Sequence, residues 1–191
     1  YISKALTPMV LTGRLIKKEK PNAKVVFIGP CAAKKLEASR RSIRSDVDFV
    51  LTFEEVMGMF VAKGVNLEQI SVSEPLTEGT GSGRGFAVSG GVAEAVKNQI
   101  LKDHPDMEVK VQAAEGLKNC KTMLMMAKAG RLNGYLLEGM ACPGGCVAGA
   151  GTLQPVMKSS TLVKKYVKEA DKQISSESDY SDNLNLLTEH G

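Results

Sequence analysis

The sequence contains no tryptophan, two histidines and four cysteines. Each shortage removes a class of chemistry. With only His104 and His190, neither a histidine-rich zinc site nor a histidine-relay hydrolase has its residues. Four unevenly spaced cysteines in 191 residues are too few for a disulfide scaffold. No stretch approaches the ~18 apolar residues that a membrane helix needs, and no charged-then-apolar secretory leader is present. The 25 Lys and Arg are interleaved with 21 Asp and Glu, so no basic stripe for nucleic acid stands out. The expectation is a cytoplasmic chain without nucleic-acid or membrane partners. The cysteines are the place to look.

What is present is ordinary globular material, 43% apolar and 24% charged, in a length that suits one domain. The first residue is Tyr1, so the expectation is a piece of a longer protein. Residues 1–20 carry a helical pattern ending before Pro21. Lys24–Ile28 is a short apolar run stopped by Gly29-Pro30, which predicts a strand buried on both faces. Phe49–Leu51 is a second strand candidate. Thr52 with Glu55 three residues on predicts a capping box opening a helix. Residues 73–85 read as a loop. Ser89-Gly90-Gly91 opens a further helix, Val109–Val111 is strand-like, and Leu117–Ala129 is a methionine-rich helix. Tyr135–Leu137 reads as a buried strand, followed by an amphipathic helix over 160–174. Strands alternating with helices predict an α/β architecture with a mostly parallel sheet flanked by helices.

Two segments carry chemistry. Gly29-Pro30-Cys31-Ala32-Ala33-Lys34-Lys35-Leu36-Glu37-Ala38 lies just past a strand end, where open α/β sheets place ligands. A thiol there suits a nucleophile or a metal ligand, and Lys34 would favour the thiolate in either role. A small buried cysteine in a strand-to-helix turn fits the segment equally well. The second is Glu138-Gly139-Met140-Ala141-Cys142-Pro143-Gly144-Gly145-Cys146, continuing to Gly151. Two thiolates four positions apart can face one metal or cluster if the intervening backbone is tight, which Gly144 and Gly145 permit. A zinc ribbon would normally add a second close cysteine pair, and a redox dithiol normally has CxxC spacing. An iron–sulfur cluster, held by thiolates alone, suits a histidine-poor chain best.

Taken together these motifs resemble the second and third signature motifs of iron-only (diiron) hydrogenases. Asp46–Thr52 and Ser89–Ala95 match the same family in order and spacing. The resemblance spans about residues 1–158. It implies an Fe-only hydrogenase-like fold, with 1–191 the C-terminal portion of the catalytic domain and 160–191 a C-terminal helix and tail. It implies a four-iron–four-sulfur cluster bridged to a diiron subsite with carbonyl, cyanide and azadithiolate ligands. Cys31 and Cys142 would then ligate the four-iron cluster, and Cys146 would ligate it and bridge to the diiron unit. Lys34 would hydrogen-bond a cyanide, an acceptor-only anion suited to a cationic donor. Met140 would pack against the diiron unit as a soft wall. Glu37 and Glu138 would support these groups from behind.

The same resemblance implies interconversion of dihydrogen with protons and electrons in an anaerobe, with maturation proteins and an electron carrier such as ferredoxin as partners. The family's first cysteine motif, source of the fourth cluster ligand and the proton-relay thiol, is expected upstream of this chain. The fragment alone is therefore expected to be inactive, to lack a complete cluster, and to be prone to self-association. Gly29 stands where many members have methionine, and Thr152-Leu153 interrupt the glycine run before Gln154-Pro155. Both suit a divergent, sensory-type member. The alternatives are a non-catalytic iron–sulfur protein of the same fold, either assembly-factor-like or hydrogen-sensing, and a simple thiol-redox or zinc domain. Cys120 and the stripe Met123, Met125, Met126 are read as core. Ser82–Gly85 matches neither GxGxxG nor a Walker loop.

Overall fold

A computed structural model describes residues 2–42, 46–74 and 78–188. Its contacts divide the chain into two units. The first comprises Tyr1–Ser71, Ala150–Leu153 and Asp182–Gly191; the second comprises Val72–Gly149 and Gln154–Ser181. Each holds one two-stranded parallel sheet. The predicted parallel pairing is therefore present, divided between two βαβ elements.

In the first unit, helix α1 (Pro8–Glu19) starts with proline at its first turn, where the missing N–H is harmless. Strand β1 (Val26–Gly29), helix α2 (Ala33–Ala38) and strand β2 (Phe49–Thr52) follow. The strands pair in register from Val26 opposite Phe49 to Gly29 opposite Thr52. Thr52 then caps helix α3 (Phe53–Ala62) through the predicted capping box. The Glu55 N–H donates to Thr52 Oγ1 at 3.2 Å, and the Thr52 N–H donates to Glu55 Oε2 at 2.8 Å. A last short helix, Asn185–Thr188, ends the described chain.

The core of this unit is Met9, Val10 and Val47, with Val25, Phe27, Ala38 and Val50 packed against it. The expectation that β1 is buried on both faces fails. Phe27 turns toward the core, whereas Val26 and Ile28 remain 47% and 50% exposed. Period-two geometry sends alternate side chains to opposite faces, and only one face of this small sheet is covered within the unit.

Asp48 ties α1 to the approach of β1. Its carboxylate accepts from Lys17 Nζ at 2.7 Å, from the Val25 N–H at 2.9 Å and from Lys24 Nζ at 3.4 Å. The Lys17 and Val25 hydrogen bonds outweigh partial burial and, with Lys24, bring its pKa from 3.8 to about 2. A folded pKa below the unfolded value gives stability that is complete above pH 3.8 and is lost as pH falls toward 2. The expected outcome is that Asp48→Asn lowers stability at neutral pH, with the gap from wild type closing between pH 3.8 and about 2. Urea melts across that range check it; a pH-independent gap would contradict it.

In the second unit, a helical turn at Gly81–Gly85 replaces part of the predicted loop, whose residues 75–77 lie outside the described residues. Thr80 makes the turn by accepting the Gly83 N–H at 3.1 Å. Arg84 braces it, with its guanidinium 3.9 Å over the Tyr166 ring. Counting this turn as α4, the unit continues with α5 (Gly91–Asp103), β3 (Lys110–Glu115), α6 (Leu117–Lys128), β4 (Tyr135–Met140) and α7 (Val156–Lys168). Strands β3 and β4 pair from Lys110 opposite Tyr135 to Glu115 opposite Met140. Helix α7 starts and ends earlier than the expected 160–174, because Pro155, at φ −58°, leads directly into its first turn. Of the methionine stripe, Met123 is buried at 6%, but Met125 and Met126 are exposed. Among the described residues no helix is long and apolar enough to cross a membrane.

Candidate functional site

The first unit contributes a single thiol. Strand β1 ends at Gly29, and Cys31 follows Pro30 into the first turn before α2. Cys31 is half-buried and free, and its carbonyl accepts the Lys34 N–H at 3.2 Å. The Pro30 carbonyl accepts the Gly151 N–H at 3.0 Å, and the Gly151 carbonyl accepts the Glu54 N–H at 3.2 Å. A Cβ on Gly151 would overlap the Thr52 side chain, so glycine lets this strap lie against the end of β2. Gly29 has a comparable reason. A Cβ there would stand 2.7 Å from the Phe27 ring, which occupies the space a side chain would need.

Lys34 does not stand free. Its ammonium is 2.6 Å from Glu37 Oε2, and the Thr7 hydroxyl donates to Glu37 Oε1 at 2.6 Å. Burial pushes the Glu37 carboxyl up, but hydrogen bonds from Lys34 and Thr7, with the charges of Lys34 and Arg40, hold it below the ordinary glutamate value. Lys35 is paired with Glu55 at 2.6 Å. The two lysines therefore have different anchors, one on its own helix and one on α3.

The second unit contributes two thiols on one loop. Strand β4 carries Glu138 and Met140 and delivers the chain to Cys142. The Gly145 N–H donates to the Cys142 carbonyl at 3.0 Å, closing a tight turn. Gly144 and Gly145 have φ of 97° and 92°, a region L side chains rarely adopt. Cys146–Ala148 form one 3₁₀ turn, closed by the Gly149 N–H to the Cys146 carbonyl at 2.9 Å. Both cysteines are half-buried.

Three hydrogen bonds fasten this loop. The Ser89 N–H donates to the Gly144 carbonyl at 3.2 Å, and the Val147 N–H donates to the Ala87 carbonyl at 3.0 Å. The Gly144 N–H donates to Glu115 Oε2 at 2.8 Å. Glu115 was not a candidate from the sequence; only the pairing of Glu115 with Met140 puts it at the loop's entrance. Met140 is half-buried at the end of β4, where its carbonyl accepts the Gly116 N–H at 2.8 Å. Cys120 sits beside it, with Sγ 3.4 Å from the Ala114 carbonyl and 3.6 Å from that of Met140.

The donor chemistry fits thiolate ligation of iron. Cys142 and Cys146 are thiols on one tight turn and Cys31 is a thiol at a strand end, none of them in a disulfide. Among the described residues no group of three or more His, Cys, Asp or Glu is gathered to hold a metal ion.

Comparison with known proteins identifies what the arrangement belongs with. Residues 1–150 match the family described as iron only hydrogenase large subunit, C-terminal domain. The chain is 30% identical over 198 residues to a periplasmic Fe hydrogenase large subunit of Nitratidesulfovibrio vulgaris, covering 82% of this chain and 47% of that protein. It is 28% identical over 200 residues to cytosolic iron-sulfur assembly component 3 of Rattus norvegicus, covering 81% and 42%. In fold it is similar to an FeFe-hydrogenase HydA1 of Chlamydomonas reinhardtii, with a TM-score of 0.64 at 20% identity, over all of this chain and 66% of that one. The chain thus spans about half the length of these curated relatives.

Proposed function

The chain belongs to the family of iron-only hydrogenase large subunits, C-terminal domain, and from that premise we propose that it is part of a catalytic domain interconverting dihydrogen with protons and electrons. The observation that carries this reading is the Cys142–Cys146 loop, with two half-buried thiols on a turn fixed from three sides. In this reading Cys31, Cys142 and Cys146 supply three thiolates of a four-iron cluster, and Cys146 also bridges to a diiron subsite. A further thiolate would come from outside this chain. The bound metal would supply the redox chemistry of dihydrogen.

The chain's own groups would hold and shield that centre. Lys34 would offer an N–H to an anionic ligand, and Glu37 would keep its ammonium from swinging away, as their 2.6 Å contact suggests. Met140 would supply a soft apolar wall at the end of β4. Pro143 removes one backbone donor from the loop, and the glycines let the main chain come close. Residues 1–191 would form the C-terminal portion of the catalytic domain, with the residues from 160 onward its closing helix and tail. An electron carrier such as ferredoxin and maturation proteins would be its partners. We propose a cytoplasmic location; the periplasmic name of the Nitratidesulfovibrio relative is the alternative, and fractionation separates the two.

A second reading, a non-catalytic iron–sulfur protein, is supported by the 28% identity to the iron-sulfur assembly component of Rattus norvegicus over 81% of this chain. It is also what the name of the rat relative describes for that protein. Infrared spectroscopy separates the readings. The expected result after anaerobic expression of the full-length protein with maturation proteins is a set of carbonyl and cyanide stretches. An iron–sulfur chromophore without those bands would overturn the first reading in favour of the second.

A further inference from the structure

Glu138 is 7% exposed, a carboxylate buried on a strand four residues before Cys142. Such a group is strongly unfavourable unless hydrogen bonds replace its water. Its Oε1 accepts the Gly90 N–H at 2.7 Å, and its Oε2 accepts the Ala93 N–H at 2.6 Å. These donors belong to the residue preceding α5 and to its third residue. Gly90 has φ of 84° and no side chain, so α5 cannot cap itself in the ordinary way. The strand's carboxylate takes that place, at the end of the helix where the dipole favours negative charge.

The same turn also holds the cysteine loop. One residue before Gly90, Ser89 donates to the Gly144 carbonyl, and two residues earlier Ala87 accepts from Val147. The backbone of residues 87–89 lies so close to Gly145 that a Cβ there would stand 2.5 Å from the Ser89 nitrogen. The connections form a closed ring. Strand β4 leads into the loop, the loop is bonded to the turn, and the turn is bonded back to β4 through Glu138. Cutting one link of such a ring loosens the remaining ones.

We propose that Glu138 is a positioning residue for the cysteine pair: by fixing residues 87–93 it sets where Cys142 and Cys146 present their sulfurs. The consequence for metal binding rests on the reading of those two cysteines as cluster ligands. The linkage itself does not, because it is made of protein atoms alone.

Hydrogen exchange on the metal-free whole chain tests it, with wild type, Glu138→Gln and Glu138→Asp compared. Glutamine keeps the shape but turns an NH₂ toward one of the two N–H donors, leaving that donor unpaired. Exchange at the Ser89 and Val147 amides is expected to rise about tenfold or more, together with Gly90 and Ala93, while β3 amides stay slow. Cys142 and Cys146 should alkylate faster relative to Cys120. Aspartate, which retains charge but reaches one donor, should fall between. Acceleration confined to the first turn of α5, with Val147 and the two cysteines unchanged, would reduce Glu138 to a helix cap and overturn the proposal. If both variants fail to fold, the wild type still decides. Under increasing urea the Gly90, Ala93, Ser89 and Val147 amides should open as one cooperative unit. Independent opening of Val147 would overturn the linkage. Because no metal is involved, a protein lacking carbonyl and cyanide bands leaves this outcome unaffected, and a failed linkage leaves the infrared test standing.

Discussion

Replacing Gly145 by alanine is expected to destabilise the second unit by about 3–5 kcal/mol, a large part of an ordinary domain's stability. Two effects add. The residue has φ of 92° and ψ of −159°, a conformation essentially confined to glycine, and forcing alanine into it costs about 1–3 kcal/mol. Its new Cβ would also stand 2.5 Å from the Ser89 nitrogen, 2.7 Å from the Val88 carbonyl carbon and 2.9 Å from the Ala87 oxygen. All three are backbone atoms, which cannot rotate away as a side chain can. Gly134 is the control. It has φ of 79°, but nothing lies within 4 Å of a Cβ placed there, so Gly134→Ala should cost only about 1–2 kcal/mol. Gly144→Ala should fall between, because its Cβ would meet a side-chain methyl of Val156 at 2.8 Å. Urea unfolding of the three variants gives the order, and equal losses at Gly145 and Gly134 would show that close approach to residues 87–89 plays no part.

That order explains what could be read from the sequence and what could not. The parallel βαβ units were legible because short apolar runs such as Lys24–Ile28 and Tyr135–Leu137 alternate with helical patterns. The capping box at Thr52 was legible because it is a local pair three residues apart, and it forms as expected. The sidedness of β1 was not, because exposure of Val26 and Ile28 depends on what covers the sheet and not on the run itself. The exposed Met125 failed for the same reason. The turn at Gly81–Gly85 was hidden behind its glycines: its Thr80 cap is local, but the Arg84–Tyr166 stack that braces it involves a residue far along the chain. At the site, scarcity directed attention to the four cysteines, and the family resemblance chose Cys31, Cys142 and Cys146 among them. The groups that fix their loop are another matter. Glu115 reaches Gly144 only through strand register, and Glu138 reaches Gly90 and Ala93 across a sequence separation of more than forty residues.

Cys120 and Cys146 are expected to separate sharply when each is changed to alanine in the full-length matured protein. A cluster ligand has to be a thiolate, whereas a thiol that gives hydrogen bonds to carbonyls must keep its proton. Cys120 has the second arrangement, with the Ala114 and Met140 carbonyls 3.4 and 3.6 Å from its sulfur. Its sulfur also fills the space beside Gly139, 3.3 Å from where a Cβ would be. Cys120→Ala should therefore lose about 1–2 kcal/mol of stability, from a small void and one weak S–H hydrogen bond shared between the two carbonyls, and keep its iron. Cys146→Ala removes a proposed ligand and bridge. Changes to groups that merely support a metal ligand already weaken binding or activity about 10–100-fold, so losing the ligand itself should exceed a hundredfold loss of turnover. Cys31→Ala and Cys142→Ala should resemble Cys146→Ala in iron content. Iron analysis, the carbonyl and cyanide bands and hydrogen uptake measured on all four variants check the assignment together. Loss of iron in Cys120→Ala equal to that in Cys146→Ala would make Cys120 a ligand, and the carbonyl contacts of its thiol would then belong to the metal-free state alone. Retention of iron and turnover in Cys146→Ala would remove the bridge, and with it the chemical reason for two thiols spaced four residues apart on a turn this tightly held.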